Sequence, residues 1–186
     1  MKLTEIQTRL LDFVKSMHGD QKRKYTGEPY AAHLLSVAEK VKDIPYAVAV
    51  ALCHDLYEDT SCDAPLLIST MIDIGYDVGV AHAQAEVVQE LTDVYTKEAY
   101  PDLNRAERKK REALRLGKTS YLAQTVKYAD LMDNTVSIAN YDPSFAKVYL
   151  QEKHELLNQM RGGQIDLYIE ACAVYKKASV LLNQGS

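Results

Sequence analysis

Residues 51–62 read ALCHDLYEDTSC, and the side chains of His54, Asp55, Glu58 and Asp59 place four metal-binding or proton-transferring groups within six positions. The residues that lead into them, VAVALC, are apolar and typical of a helix. Packing alone does not explain this pattern, because buried charges are costly unless they are paired or bound to a metal. The segment therefore predicts a central, mostly buried helix over 45–58 whose end supports metal-assisted hydrolysis.

The rest of the chain predicts an all-α fold in a single domain, 1–186. Apolar residues recur at three- and four-residue steps, and the alternation typical of strands is nowhere sustained. Thr4 is a candidate N-cap for the first helix. The predicted helices are 4–17, 30–41, 45–58, 64–74, 77–95, 105–116 and 121–139, followed by two helices within 143–182 that are separated near Gly162-Gly163.

The composition excludes several classes of protein. The chain has 186 residues, of which 47% are hydrophobic and 26% charged, as in an average globular protein. A net charge of −4 gives no reason to expect nucleic-acid binding. Neither a membrane span nor a secretory leader is expected, because charges interrupt every apolar run. The three cysteines lack CxxC spacing, which argues against a disulfide framework or a zinc ribbon and favours a reducing, cytoplasmic setting.

The charged cluster at 54–59 suits a metal site. On one continuous helix His54 would lie over Glu58, and Asp55 would lie over Asp59. Imidazole and carboxylate groups are ligands of manganese, iron or zinc. A further carboxylate beside the ion can orient or deprotonate the attacking water. The alternative is a solvated helix end with His54 packed beside it, and the lack of lysine among the acids argues against that interpretation.

Two other segments supply candidate ligands. His33 lies in PYAAHLLSVAEKV, and Asp130 lies in TVKYADLMDNTVSI with Asn134 one turn further on. Taken alone, His33 is more often a core histidine, and Asp130 is as often an N-cap or part of a buried salt bridge. The order of His33, then His54-Asp55, then Asp130 makes the three segments support one another as a metal site.

That order is the signature of HD-domain metal-dependent phosphohydrolases. The fuller pattern of RKYTGEPYAAH, HDLYEDT, LTDVYTKE, AERKKR and VKYADLMDN resembles the hydrolase domain of Rel/Spo proteins and the small alarmone hydrolases. The resemblance covers about residues 10–140. The HDxxEDT and GxPYxxH elements together are fairly specific, whereas the His-Asp pair alone would not be.

The resemblance implies an HD-domain helical bundle and an activity. The activity is a 3′-pyrophosphohydrolase that converts ppGpp or pppGpp to GDP or GTP and pyrophosphate, with no synthetase domain because the chain ends at Ser186. The metal would be one Mn²⁺, although the ligand set also admits iron or zinc. By position, the implied metal ligands are His33, His54, Asp55 and Asp130; the implied catalytic pair is Glu58 and Asp59; and the implied nucleotide contacts are Arg23, Lys24, Arg105, Lys109 and Asn134.

Departures from the family pattern leave alternatives open. His33 precedes Leu34 where the family has proline, the basic loop is a residue longer, and Asp130 precedes Leu131 where the family has a basic residue. A second hypothesis is therefore an HD phosphohydrolase that acts on a dNTP, a nucleoside monophosphate or a related alarmone. A third is a nucleotide-binding module without catalysis, against which the Glu58-Asp59 pair argues.

The helices in 143–182 either cover the core or form an interface, so a homo-oligomer stays open.

Overall fold

The chain is all-α, as its sequence predicts. The computed structural model describes residues 1–184, and within them the only extended pairing is an isolated bridge between Lys22 and Pro29. The chain divides into two compact units, Met1–Thr92 and the part from Asp93 onward. The single-domain organisation stays a prediction. None of the helices in the described part of the chain combines the length and apolar character that crossing a membrane requires.

The first unit is built around a short apolar helix. Its helices are α1 (Glu5–His18), α2 (Ala31–Lys40), α3 (Ala47–Cys53), α4 (Leu56–Asp59), α5 (Ala64–Ile74) and α6 (Val78–Leu91). All seven residues of α3 are buried, and α1, α2 and α6 pack on it. A helix that is apolar all round must be surrounded, and the alanines of AVAVALC let the neighbouring helices approach closely. The predicted central helix therefore lies at the centre of this unit.

The predicted N-cap of α1 is confirmed. The hydroxyl of Thr4 accepts a hydrogen bond from the backbone N–H of Gln7 at 3.2 Å, and the Gln7 side chain accepts one from the Thr4 N–H at 3.0 Å. This reciprocal capping box satisfies two backbone donors that the helix itself cannot pair. The start of α1 was therefore readable from local sequence.

The prediction of one helix over 45–58 was wrong, because the chain breaks at His54-Asp55. The Nδ1 of His54 lies 2.8 Å from the carbonyl oxygen of Ala51. In a continuous helix that oxygen would accept the N–H of Asp55. Asp55 instead has φ −101° and ψ 1°, and its own carbonyl accepts the N–H groups of Glu58 and Asp59 at 3.2 and 2.9 Å. The break starts a new turn, α4, directly at the charged cluster.

The second unit has four helices in its described part: α7 (Arg105–Leu116), α8 (Tyr121–Tyr141), α9 (Pro143–Gln159) and α10 (Ile165–Gln184). Helix α8 packs against α9 and α10, and α7 packs against α9. The predicted break near Gly162-Gly163 is confirmed. A Cβ on Gly163 would lie 2.6 Å from the Tyr128 ring, so only glycine permits this close approach to α8.

Helix α6 ends at Leu91, four residues before the predicted end at 95. The backbone turns extended at Thr92, with φ −63° and ψ 127°. The N–H groups of Val94 and Tyr95 then donate to the buried carboxylate of Glu112 at 3.1 and 2.9 Å. A partner 17 or more residues away in sequence thus takes the donors that a longer helix would have used.

Candidate metal centre

Three of the four predicted metal ligands meet in the first unit. One ligand atom from each of His33, His54 and Asp55 lies within 4.8 Å of the others. The Oδ2 of Asp55 is 3.0 Å from the Nε2 of His54 and 3.6 Å from the Nε2 of His33. Both imidazoles are buried, with 2% and 3% of their surface exposed for His54 and His33. The structure therefore brings these three side chains to one point.

Neighbouring groups fix how the cluster is oriented. Because the Ala51 carbonyl only accepts, the Nδ1 of His54 carries a proton and donates there, so in the neutral imidazole the lone pair lies on Nε2, the atom 3.0 Å from Asp55 Oδ2. The hydroxyl of Tyr30 donates to Asp55 Oδ2 at 2.6 Å. Partners of this kind orient ligands and raise their affinity for a cation. Two imidazoles and one carboxylate can bind a divalent metal of the first transition row.

The predicted catalytic pair follows the cluster on α4. Glu58 and Asp59 are both exposed, as groups that handle water need to be. The Oδ2 of Asp59 accepts a hydrogen bond from the Nε2 of Gln21 at 2.9 Å. The pair therefore begins three residues after Asp55. The loop that follows α1 supplies a hydrogen-bond donor to it through Gln21.

Sequence reasoning missed three residues around this cluster: His18, Gln21 and Tyr30. The predicted first helix stops at residue 17, but His18 is the last residue of α1 and only 8% exposed. Its ring stacks on Tyr30 with centroids 4.8 Å apart. A usable signal existed for Tyr30, because it precedes His33 by three residues and so shares its helix face. No comparable signal marks His18 or Gln21.

The basic pair Arg23-Lys24 lies in a tight loop between α1 and α2. The N–H of Arg23 donates to the Glu28 carbonyl at 2.9 Å, and the N–H of Gly27 donates back to the Arg23 carbonyl at 3.0 Å. Gly27 has a φ of 71°, which favours glycine. Lys24 is exposed and lies over the Tyr25 ring at 4.9 Å. Nucleotide binding by this pair stays a prediction.

Asp130, the fourth predicted ligand, belongs to the second unit. It is buried, with 4% of its surface exposed. Its Oδ2 lies 2.9 Å from the Nζ of Lys127, and its Oδ1 accepts a hydrogen bond from Asn134 at 2.5 Å. The buried salt bridge that the sequence left open is therefore present, and the role of Asp130 as a ligand stays a prediction. Leu131 is also buried and belongs to the core of this unit.

The other predicted phosphate contacts, Arg105 and Lys109, are both ion-paired within the second unit. Arg105 holds Glu152 through two bonds of 2.6 and 3.0 Å, and these raise the pKa of Arg105. Lys109 contacts Asp93 at 2.7 Å. Burial raises the pKa of Asp93, but nearby lysines outweigh burial and hold that pKa below its usual value. A cavity of about 460 Å³ lies between α7 and α9 and is lined in part by Arg105 and Lys109.

The lysines of this unit are close enough to affect one another. Burial and the charges of Lys127 and Lys109 lower the pKa of Lys153 to about 8, although Asp130 and Asp93 oppose that effect. Such mutual repulsion is relieved by a bound anion. Lys109, Lys127 and Lys153 and the carboxylates of Asp93 and Asp130 thus form one interacting charged group in the second unit.

Two of three comparisons with known proteins find relatives, and no family model matches the chain. Over 59 residues the chain is 49% identical to the guanosine-3′,5′-bis(diphosphate) 3′-pyrophosphohydrolase of Aquifex aeolicus (strain VF5). The match spans 30% of this chain and only 8% of that relative's length. Among solved structures, a metazoan ortholog of SpoT, described as hydrolysing ppGpp and acting in starvation responses, matches with a TM-score of 0.76 at 20% identity. That match covers 95% of this chain and 97% of the other.

The comparisons confirm the predicted resemblance to Rel/Spo hydrolases and the fold. The structural match extends over almost the whole chain, including the C-terminal helices beyond the 10–140 region of motif resemblance. The helical fold of this chain is that of the SpoT ortholog. The sequence match, although short, is to an enzyme of the activity that the motifs imply.

Proposed function

We propose that this chain hydrolyses ppGpp and pppGpp, releasing the 3′-pyrophosphate to leave GDP or GTP. The observation that carries the proposal is the cluster of His33, His54 and Asp55, with ligand atoms within 4.8 Å of one another. The two relatives support it, since one is named as a ppGpp 3′-pyrophosphohydrolase and the other is described as hydrolysing ppGpp. A small-molecule nucleotide is thus the partner; the absence of nucleic-acid binding and the oligomeric state stay predictions.

The proposed chemistry is the attack of water on the phosphorus bound to the ribose O3′. We propose Mn²⁺ as the cofactor; a divalent cation at the cluster would supply Lewis-acid polarisation of the phosphate and favour ionisation of water. The Glu58 carboxylate takes the proton from the water and returns one to O3′ as that P–O bond breaks. Asp59 orients the water. The proton and the leaving oxygen balance, and no other reactant is needed.

Substrate binding would use the basic side chains described above. Arg23 and Lys24 would contact guanosine and phosphates, and Asn134 would border the nucleotide. Arg105 and Lys109 would exchange Glu152 and Asp93 for phosphate oxygens, which accept from arginine in the same bidentate manner as a carboxylate. This exchange makes phosphate binding by the second unit dependent on ionic strength.

We propose Asp130 as a further metal ligand. A substitution distinguishes this role from its salt bridge with Lys127. Asp130→Asn is expected to lower the Mn²⁺ bound per chain at least tenfold, because it removes a buried negative charge. Elemental analysis after dialysis measures this. The control is Asp133→Asn, which makes the same change on the same helix and is expected to retain the metal. An Asp130→Asn protein that melts lower but keeps its metal would show that Asp130 is only a partner of Lys127.

A second candidate function is hydrolysis of a different nucleotide by the same cluster. Two observations favour it: Arg105 and Lys109 are already paired with carboxylates, and Leu131 lies in the core where the family has a basic residue. Phosphate contacts that depart from the family pattern would suit a different nucleotide. A dNTP, a nucleoside monophosphate or a related alarmone would then be the substrate.

A substrate panel with products resolved by chromatography distinguishes these functions. The purified chain is incubated with ppGpp, pppGpp, dNTPs and nucleoside monophosphates, each with Mn²⁺, Fe²⁺ or Zn²⁺. GDP plus pyrophosphate from ppGpp, fastest with Mn²⁺, is the expected result. Phosphate or triphosphate from the other nucleotides would favour the second candidate. Binding of ppGpp without cleavage under any of the metals would indicate a nucleotide-binding module.

A further inference from the structure

A chain of hydrogen bonds runs from His18 to the proposed catalytic pair. The Nδ1 of His18 lies 2.7 Å from the Oε1 of Gln21, and the Nε2 of Gln21 donates to Asp59 Oδ2 at 2.9 Å. Because Oε1 only accepts, the proton must lie on His18 Nδ1. Both hydrogen bonds therefore point towards the Asp59 carboxylate, and the Gln21 amide has one orientation that satisfies both.

A second branch leads from His18 to the metal ligands. Its ring stacks on the Tyr30 ring at 4.8 Å with the planes inclined by 29°. The Tyr30 hydroxyl donates to Asp55 Oδ2 at 2.6 Å, and the Tyr30 N–H donates to the Gln21 carbonyl at 3.0 Å. His18 thus contacts the two side chains that hold Asp55 and Asp59.

We propose that His18 is a positioning residue, which fixes the Asp55 carboxylate through Tyr30 and the Asp59 carboxylate through Gln21. This inference rests on the proposed function for its effect on turnover, but not for its effect on the cation. His18 touches neither the substrate nor the proposed ligands. Its contribution is to restrict the rotamers of two carboxylates that must meet a water and a cation in a fixed geometry.

The identity of residue 18 supports a positional role over simple packing. His18 is buried, and its Nε2 has no hydrogen-bond partner among residues 1–184. A buried polar atom without a partner destabilises a fold, so packing against Tyr30 alone favours phenylalanine at this place. Histidine can donate a hydrogen bond from Nδ1 to Gln21, whereas phenylalanine has no donor at this position.

The first test separates the two branches. Gln21→Leu removes both amide hydrogen bonds and is expected to lower kcat for ppGpp about 10–100-fold, with the Kd for Mn²⁺ unchanged. Tyr30→Phe keeps the ring stack but removes the hydroxyl, and it is expected to raise the Kd for Mn²⁺ about tenfold, measured by calorimetry without substrate. Wild-type values of both kcat and Kd in these two variants would overturn the proposal.

A second set of variants tests His18 itself. His18→Phe keeps the stack and removes the donor, so its kcat is expected to fall as in Gln21→Leu, and the double variant is expected to fall no further. His18→Asn places an amide donor near the position of Nδ1 and is expected to recover part of the loss. Additive losses of kcat in the double variant would overturn the proposal, because they would show that His18 and Gln21 act independently.

Controls keep the result independent of folding and of the proposed function. His154 also stacks on a tyrosine, Tyr175, at 5.6 Å, and His154→Phe is expected to leave kcat and Kd unchanged. If His18→Phe melts below the assay temperature, Gln21→Leu carries the test, since that side chain is less buried. If the wild type cleaves no nucleotide, the proposed function fails. The inference is then decided by the Kd of Tyr30→Phe for Mn²⁺ and by the Asp59 rotamer in a crystal structure of Gln21→Leu. If both stay as in the wild type, the inference is overturned.

Discussion

Replacing Asp55 by asparagine is expected to abolish both Mn²⁺ binding and hydrolysis. Asp55 Oδ2 is the point where the Tyr30 hydroxyl, His54 Nε2 and His33 Nε2 meet, at 2.6, 3.0 and 3.6 Å. Asparagine keeps the size of the side chain but removes the negative charge that offsets the charge of a cation. Removal of one partner from a buried charge pair costs about 3–5 kcal/mol, which corresponds to a loss of at least about a hundredfold in affinity.

The measurement for Asp55→Asn is the Mn²⁺ content of the dialysed protein together with a calorimetric titration. The matched control is Asp73→Asn, an exposed acid on α5 of the same unit, which changes the net charge equally. The control is expected to bind Mn²⁺ like the wild type. Stoichiometric Mn²⁺ in Asp55→Asn would remove Asp55 from the ligand set and with it the observation that carries the proposed function.

The parts of the fold that the sequence predicted correctly depend on local interactions. Thr4 caps α1 through a residue three positions away, and the glycines at 162–163 mark the turn after α9. The two errors have non-local or side-chain causes. His54 takes the Ala51 carbonyl and breaks the helix, and Glu112 takes the backbone donors of Val94 and Tyr95. Apolar periodicity contains no information about either contact.

The candidate site was predictable to the extent that residue type alone reveals chemistry. His33, His54 and Asp55 stand out because imidazole and carboxylate groups are unusual among apolar neighbours, and the structure brings them together. Gln21 and Tyr30 are ordinary residues for a loop and a helix start. Their hydrogen bonds to Asp59 and Asp55 exist only in the folded chain, across 38 and 25 residues.

The same limit applies to the basic residues of the second unit. The resemblance implies Arg105 and Lys109 as nucleotide contacts but gives no sign that they pair with Glu152 and Asp93, which lie 47 and 16 residues away. Charge at a position is visible in a sequence, but the partner that neutralises it depends on how the helices pack. The pairing partners of these basic residues are therefore not predictable from the sequence.

Glu58→Gln is expected to keep the metal and to cut turnover at least about a hundredfold, the usual scale for loss of a general acid or base. Glu58 is exposed on α4 and lies three residues after Asp55. Glutamine has the same shape but cannot accept and return a proton. The loss should therefore appear in kcat for ppGpp, while the Mn²⁺ content by elemental analysis should stay at the wild-type level.

Two comparisons make the Glu58→Gln result specific to proton transfer. Glu86→Gln removes an exposed helical glutamate from the same unit, and its turnover is expected to match the wild type. Asp59→Asn keeps an oxygen that accepts from Gln21, so it is expected to lose less turnover than Glu58→Gln if Asp59 only orients the water. The reverse order, with Glu58→Gln near wild type and Asp59→Asn inactive, would assign the proton to Asp59. The hydrogen bond from Gln21 would then act directly on the catalytic base. Gln21→Leu would in that case lower kcat more than it does when Glu58 is the base.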